Sequence, residues 1–167
     1  MKVYFSHGKE SGPWGSKIKR LAGIAQQKGY AVDSIDYSDI LDPDLRVERL
    51  LSVLGETGEA FVLVGSSMGG YVSLVASEQV NAKGVFLLAP ALYMEDEDYQ
   101  QQNYHPHGYV EVVHGWSDDV IPVENSIRFA KAVDCSLHLI SGDHRLNSSI
   151  EVVEQLFSQF LVSVDSH

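Results

Sequence analysis

The stretch Phe61-Val62-Leu63-Val64-Gly65-Ser66-Ser67-Met68-Gly69-Gly70-Tyr71-Val72-Ser73-Leu74-Val75-Ala76 decides the fold. Its first four residues read as a buried strand, residues 65–69 as a G-x-S-x-G turn, and the apolar run after Gly70 as a helix. The chain reverses so tightly around the serine that a side chain at Gly65 or Gly69 would clash with the neighbouring strand or helix. Ser67 is thereby exposed at a helix N-terminus, where free N–H groups and the positive helix end face developing negative charge. The competing reading is a glycine-rich structural turn.

Outward from this turn, apolar runs rich in Val, Ile, Phe and Tyr recur at Val3 to Phe5, Ala31 to Ile35, Val85 to Leu88, Val110 to Val113 and Leu137 to Ile140, and read as further strands. Helical periodicity lies between them: Ile18, Leu21, Ala22 and Ala25; Val47, Leu50, Leu51 and Leu54; Ile150, Val153, Phe157, Phe160 and Leu161. Asp42-Pro43 has the form of an N-cap followed by an N1 proline, Pro122 opens another helix, and Gly29 and Gly55 stand where left-handed C-caps belong. Ser148 and Glu151 have capping-box spacing, which starts the last helix at Ser149. Pro90 to Gly108 lacks periodicity and reads as an insertion or irregular loop.

Alternating strands and helices favour a three-layer α/β/α sandwich with a mainly parallel sheet of about six strands, in one domain spanning residues 1–167. In such a sheet ligands bind where loops leave the carboxyl ends of the strands.

A serine hydroxyl is a weak nucleophile until a base takes its proton, and the base must be oriented in turn. The chain order expected for this fold is Ser, then Asp or Glu, then His. The run Val110 to Val113 leads into His114-Gly115-Trp116-Ser117-Asp118-Asp119, making Asp118 the expected acid with Asp119 its rival. The last strand leads into Ser141-Gly142-Asp143-His144, so His144 is the expected base. The first strand leads into Ser6-His7-Gly8-Lys9. Lys9 N–H is assigned with Met68 N–H to an oxyanion hole, Gly8 allows close approach, and His7 is a structural hydrogen-bonding residue.

The remaining histidines read as structural: His138 as a satisfied core or face residue and His114 as a brace for its loop. His105 and His107 lack further ligands at credible metal spacing, and His167 is terminal. Cys135, the single cysteine, reads as a small buried hydrophobe in a reducing compartment.

Hydrophobic residues at 44% and charged residues at 21% suit a packed globular core. A net charge of -11 makes nucleic acid and anionic lipid poor partners. With no secretion signal or spanning run visible, a cytoplasmic protein is expected.

Taken together, His7-Gly8, Gly65 to Gly70, Leu88-Ala89-Pro90-Ala91, His114-Gly115 with Asp118 and Pro122, and Gly142-Asp143-His144 resemble the α/β-hydrolase superfamily over nearly the whole chain. The short length is similar to its compact, lidless serine hydrolases, including YqiA-like esterases. That resemblance implies carboxylesterase or thioesterase activity on a small-molecule ester or thioester, with no metal or organic cofactor. Larger members have leading antiparallel strands and a cap domain that this chain lacks, so substrate selection falls to loops. The tyrosines of residues 90–108, Tyr93 among them, are expected to wall an acyl pocket with Trp14 and Trp116. A peptidase on the same residues, or a hydrolase-like scaffold that binds a protein partner without catalysis, are the alternatives.

Overall fold

The structure is a computed structural model that describes residues 1–166; His167 lies outside them. Six strands are joined into one sheet: β1 (Lys2–Ser6), β2 (Ala31–Ile35), β3 (Phe61–Ser66), β4 (Gly84–Leu88), β5 (Tyr109–Gly115) and β6 (Ser136–Ile140). Their order is β2-β1-β3-β4-β5-β6, and every neighbouring pair is parallel. Among the described residues five α-helices accompany them: α1 (Ser16–Gln27), α2 (Pro43–Leu54), α3 (Met68–Ser77), α4 (Val123–Val133) and α5 (Ile150–Asp165).

Strand side chains alternate between the two faces, so each face needs its own apolar cover. Val3, Phe5, Val62, Val64, Phe86, Leu88 and Val113 meet α1 and α5. Tyr4, Leu63, Val85, Leu87, Val110 and Val112 meet the apolar sides of α2, α3 and α4. The three-layer sandwich follows from these two buried faces.

From β1 the chain first moves outward to β2, with α1 on one face. It then returns past β1 to β3, with α2 on the other face. The crevice of this switch lies between the ends of β1 and β3, where ligands bind in open parallel sheets. The register pairs Ser6 with Gly65, Ser66 with Leu88, Leu88 with Val113 and Gly115 with Ile140, aligning the loops that carry the chemistry.

Local signals explain several helix ends. The Asp42 carboxylate accepts the N–H groups of Asp44 and Leu45, and Pro43 opens α2. Gly29, with φ of 89°, ends α1 with Tyr30 N–H donating to Ala25 O and Gly29 N–H to Gln26 O. Pro122 is the residue immediately before α4.

Three expectations are corrected. Gly55 has φ of -65°, because the chain leaves α2 through successive right-handed turns that occupy the last carbonyls without a left-handed residue. The Ser148 capping box does not form. Asn147–Ser149 makes a 3₁₀ turn, α5 starts at Ile150, and the Ser149 hydroxyl donates to Ser141 O instead. Cys135 is only half-buried at the margin of the core.

The irregular segment 90–108 is fastened to α2 and α3. Asp44 accepts the Tyr71 hydroxyl at 2.6 Å and Gln100 N–H at 3.2 Å, and Gln101 N–H donates to the Tyr71 hydroxyl at 3.0 Å. Tyr99 and Tyr104 pack edge-on against the Tyr71 ring and belong to the core.

Candidate active site

The turn after β3 is built by close backbone approach. A Cβ on Gly65 would stand 2.1 Å from Gly69 O, and one on Gly69 would stand 1.9 Å from Ser6 O. These contacts are possible only for glycine. Ser67 itself takes φ of 56°, a left-handed conformation unusual for a side-chain-bearing residue. Its N–H donates to Leu88 O at 3.0 Å, and its carbonyl accepts Gly70 N–H and Ala91 N–H, which fixes the strained turn against β4. Met68 is the first residue of α3, where an N–H has no carbonyl one turn earlier to bind.

The Ser67 hydroxyl lies 3.0 Å from His144 Nε2, and His144 Nδ1 lies 2.8 Å from Asp118 Oδ2. Since the carboxylate accepts the Nδ1 proton, Nε2 is free to accept from the serine. Asp118 Oδ1 accepts Val120 N–H and Ile121 N–H, both at 2.8 Å. The Asp118 side chain is buried. Burial pushes its pKa up, but hydrogen bonds from His144, Ile121 and Val120 outweigh it and hold the carboxyl below its ordinary value. The neighbouring Asp119 is exposed, so the structure brings Asp118 rather than its rival to His144.

Both loops are anchored. Ser117 N–H donates to Gly142 O at 2.9 Å, and a Cβ on Gly115 would stand 2.4 Å from that same oxygen. Asp143 Oδ1 accepts Leu146 N–H, closing the turn around His144. The Lys17 ammonium donates to Arg145 O at 3.0 Å; burial lowers its pKa to about 8.

The loop after β1 lies beside the serine. A Cβ on Gly8 would stand 3.8 Å from both Ser67 Cβ and Ser66 O. His7 is buried; its Nε2 accepts Tyr37 N–H at 2.9 Å, so Nδ1–H donates to Gly8 O at 2.8 Å. Burial lowers its pKa and favours the neutral ring.

His114 braces its loop. Its Nδ1 accepts the Ser126 hydroxyl at 2.7 Å, while Nε2–H donates to Ile121 O at 3.0 Å. His138 pairs with the buried Glu111 at 2.6 Å, and His107 Nε2–H donates to Glu78 O. His105 N–H donates to Glu78 Oε2. Among the described residues, no group of three or more His, Cys, Asp and Glu converges as metal ligands would.

Neither Trp14 nor Trp116 is among the residues lining the groove that holds Tyr93. Trp14 and Trp116 are exposed at 43% and 58%. Tyr93 lies under the Arg128 guanidinium, 3.8 Å from its ring centroid, in a surface groove of about 470 Å³ with Tyr104, His105 and His107. None of Ser67, Asp118 and His144 lines that groove.

Sequence reading passed over Arg46, which is fully buried and donates to carbonyls in the loop after β1. Its signal was an arginine on the apolar stripe of α2, beside Val47 and one turn from Pro43 and Leu50.

A strand-end hydroxyl hydrogen-bonded to a carboxylate-oriented imidazole can lose its proton as it attacks an electrophile. Residues 1–155 match the model of UPF0227, an uncharacterised protein family. No curated protein matches the sequence. A solved structure from Xanthomonas campestris pv. campestris, described as a candidate hydrolase of the alpha/beta superfamily, is similar at 30% identity over 97% of this chain and 98% of that one, with a TM-score of 0.86. Est1E from Butyrivibrio proteoclasticus has 17% identity over 99% of this chain and 88% of that one, at a TM-score of 0.83. A monoacylglycerol lipase from Paleococcus ferrophilus has 16% identity over 98% of this chain and 94% of that one, also at 0.83. The last two share the fold.

Proposed function

This chain belongs to the UPF0227 family, within the α/β-hydrolase superfamily, and on that premise we propose that it is a serine hydrolase cleaving small carboxylic esters or thioesters. The carrying observation is the pair of hydrogen bonds, 3.0 and 2.8 Å long, that link Ser67 to His144 and His144 to Asp118 from three separate strand ends. A scaffold whose only task was binding has no physical need for that alignment.

In this reading His144 Nε2 takes the Ser67 proton as the serine oxygen attacks the substrate carbonyl. Charge gathers on the carbonyl oxygen, where Met68 N–H and Lys9 N–H receive it. Asp118 holds the imidazole in the productive tautomer and stabilises its protonated form. His144 then protonates the departing alcohol or thiol, leaving an acyl group on Ser67. Water attacks the acyl-enzyme with His144 again accepting a proton, which it returns to the Ser67 oxygen as the acid departs. The reaction calls on the chain's own residues and water, all within one domain.

The acidic run Glu95 to Asp98 is exposed on the segment following β4. Together with the net charge of -11, it disfavours strongly anionic substrates. Neutral short-chain p-nitrophenyl esters are therefore expected to turn over faster than acyl-CoA thioesters at low salt. A fluorophosphonate probe is expected to label the wild-type chain and not Ser67→Ala. Equal labelling of the two proteins would overturn the assignment of the nucleophile.

A further inference from the structure

Arg46 is 0% exposed, yet its hydrogen bonds go to carbonyl oxygens and none to a carboxylate. Nε donates to Ile40 O at 2.7 Å, Nη1 to Gly8 O at 3.1 Å and His7 O at 3.4 Å, and Nη2 to Lys9 O at 3.2 Å. Burying a guanidinium without a hydrogen-bonded carboxylate is costly, and an apolar side chain of similar volume would continue the stripe of Val47, Leu50 and Leu54. The geometry shows what the charge accomplishes: it gathers three consecutive carbonyls onto one side of the loop.

A peptide unit is planar and trans, so the N–H of each residue points opposite to the preceding carbonyl. With the carbonyls of His7, Gly8 and Lys9 turned toward Arg46, the N–H groups of Gly8, Lys9 and Glu10 turn away from it. The Gly8–Lys9 peptide is held twice, since His7 Nδ1–H also donates to Gly8 O at 2.8 Å. Ser67 adjoins this loop, with its Cβ 3.8 Å from where a Gly8 Cβ would stand. A cation on an amide oxygen also draws electron density from the nitrogen and makes its N–H a stronger donor.

We propose that Arg46, together with His7, is a positioning residue that aims and polarises the Lys9 N–H toward the oxyanion formed at Ser67. The proposal rests on the serine-hydrolase reading for its catalytic consequence, but the clamp itself is a property of the loop.

The test compares Arg46→Met, Arg46→Lys and the core control Leu50→Ala with the wild type, using p-nitrophenyl butyrate and an alkyl boronic acid whose tetrahedral adduct mimics the intermediate. Arg46→Met is expected to lose on the order of 10² in kcat with KM nearly unchanged, and to lose boronate affinity in parallel. Arg46→Lys, a compact charge unable to span three carbonyls, falls between it and the wild type. It carries the same measurements if Arg46→Met does not fold. Leu50→Ala lowers Tm but leaves kcat per folded molecule unchanged. A folded Arg46 variant with wild-type kcat and boronate affinity, or a loss confined to KM, would overturn the proposal.

Amide NMR separates this outcome from failure of the hydrolase reading. The Gly8 and Lys9 resonances are expected to shift in the Arg46 variants while those in the middle of α3 stay in place. Unchanged loop resonances overturn the clamp. Shifted resonances in a chain whose wild type cleaves no ester support the clamp and remove the hydrolase reading instead.

Discussion

His114 Nε2 lies 3.1 Å from Asp118 Oδ2, the same oxygen that accepts His144 Nδ1–H at 2.8 Å. Both side chains of the His114–Asp118 contact are buried, and burial lowers the His114 pKa. A neutral His114 shares its Nε2 proton between Asp118 and Ile121 O, so it orients the carboxylate without neutralising it. The carboxylate that holds His144 is therefore itself held on both oxygens.

Asp118→Asn should keep the fold and lower kcat by about 10⁴, because an amide presents a donor where the imidazole N–H needs an acceptor. Asp119→Asn should stay within about threefold of wild type, the usual latitude of an exposed side chain away from the reacting groups. Steady-state ester hydrolysis with both variants checks the contrast. Comparable losses in the two would remove Asp118 from its assigned role.

Gly69→Ala should destabilise by about 3 kcal/mol or more, since the new Cβ would lie 1.9 Å from the Ser6 carbonyl oxygen and the backbone would have to move. Gly23→Ala, inside α1 with no heavy atom within 4 Å of the new methyl, should stabilise by about 0.5–1 kcal/mol. Urea unfolding of the two variants provides the comparison. A well-folded Gly69→Ala of native stability would contradict the packing of this turn.

Acid should destabilise the fold in two stages. His7 and His114 are buried with pKa values below the ordinary 6.5, so the unfolded chain binds protons first as the pH drops. Their contribution is fully present above about 6.5 and is lost as pH falls from there toward the folded values. Two such groups give a slope of at most about 2.7 kcal/mol per pH unit. Asp118, also depressed, adds a further loss below its ordinary value of 3.8. Urea midpoints measured from pH 8 to 2 should be flat at first, fall below about 6.5, and fall further below about 3.8. A midpoint that rises between pH 7 and 5 would contradict the buried neutral histidines.

The sheet, its helices and the serine turn were legible in the sequence because their causes are local. Alternation marks which strand residues face each layer, a 3.6-residue period marks each helix, and the glycines at 65 and 69 answer to a turn only a few residues long. The chain positions of Ser67, Asp118 and His144 at the ends of strands followed from the same local pattern. Gly55 and Ser148 show its limit: a suitable residue at a helix end can go unused when neighbouring backbone groups supply the bonds.

What only the tertiary structure decided is direction. Sequence favours Asp118 but leaves Asp119 as its rival until one of them meets an imidazole 26 residues further along the chain, which itself meets a hydroxyl 77 residues from it. Tyr99 and Tyr104 could face a ligand until Tyr71 and Asp44 draw their loop onto the core. Arg46 reads as one polar intrusion on an apolar stripe until the loop after β1 arrives with three carbonyls to satisfy it. Periodicity settles which face a residue occupies, whereas the aim of a polar side chain depends on partners that folding alone brings near.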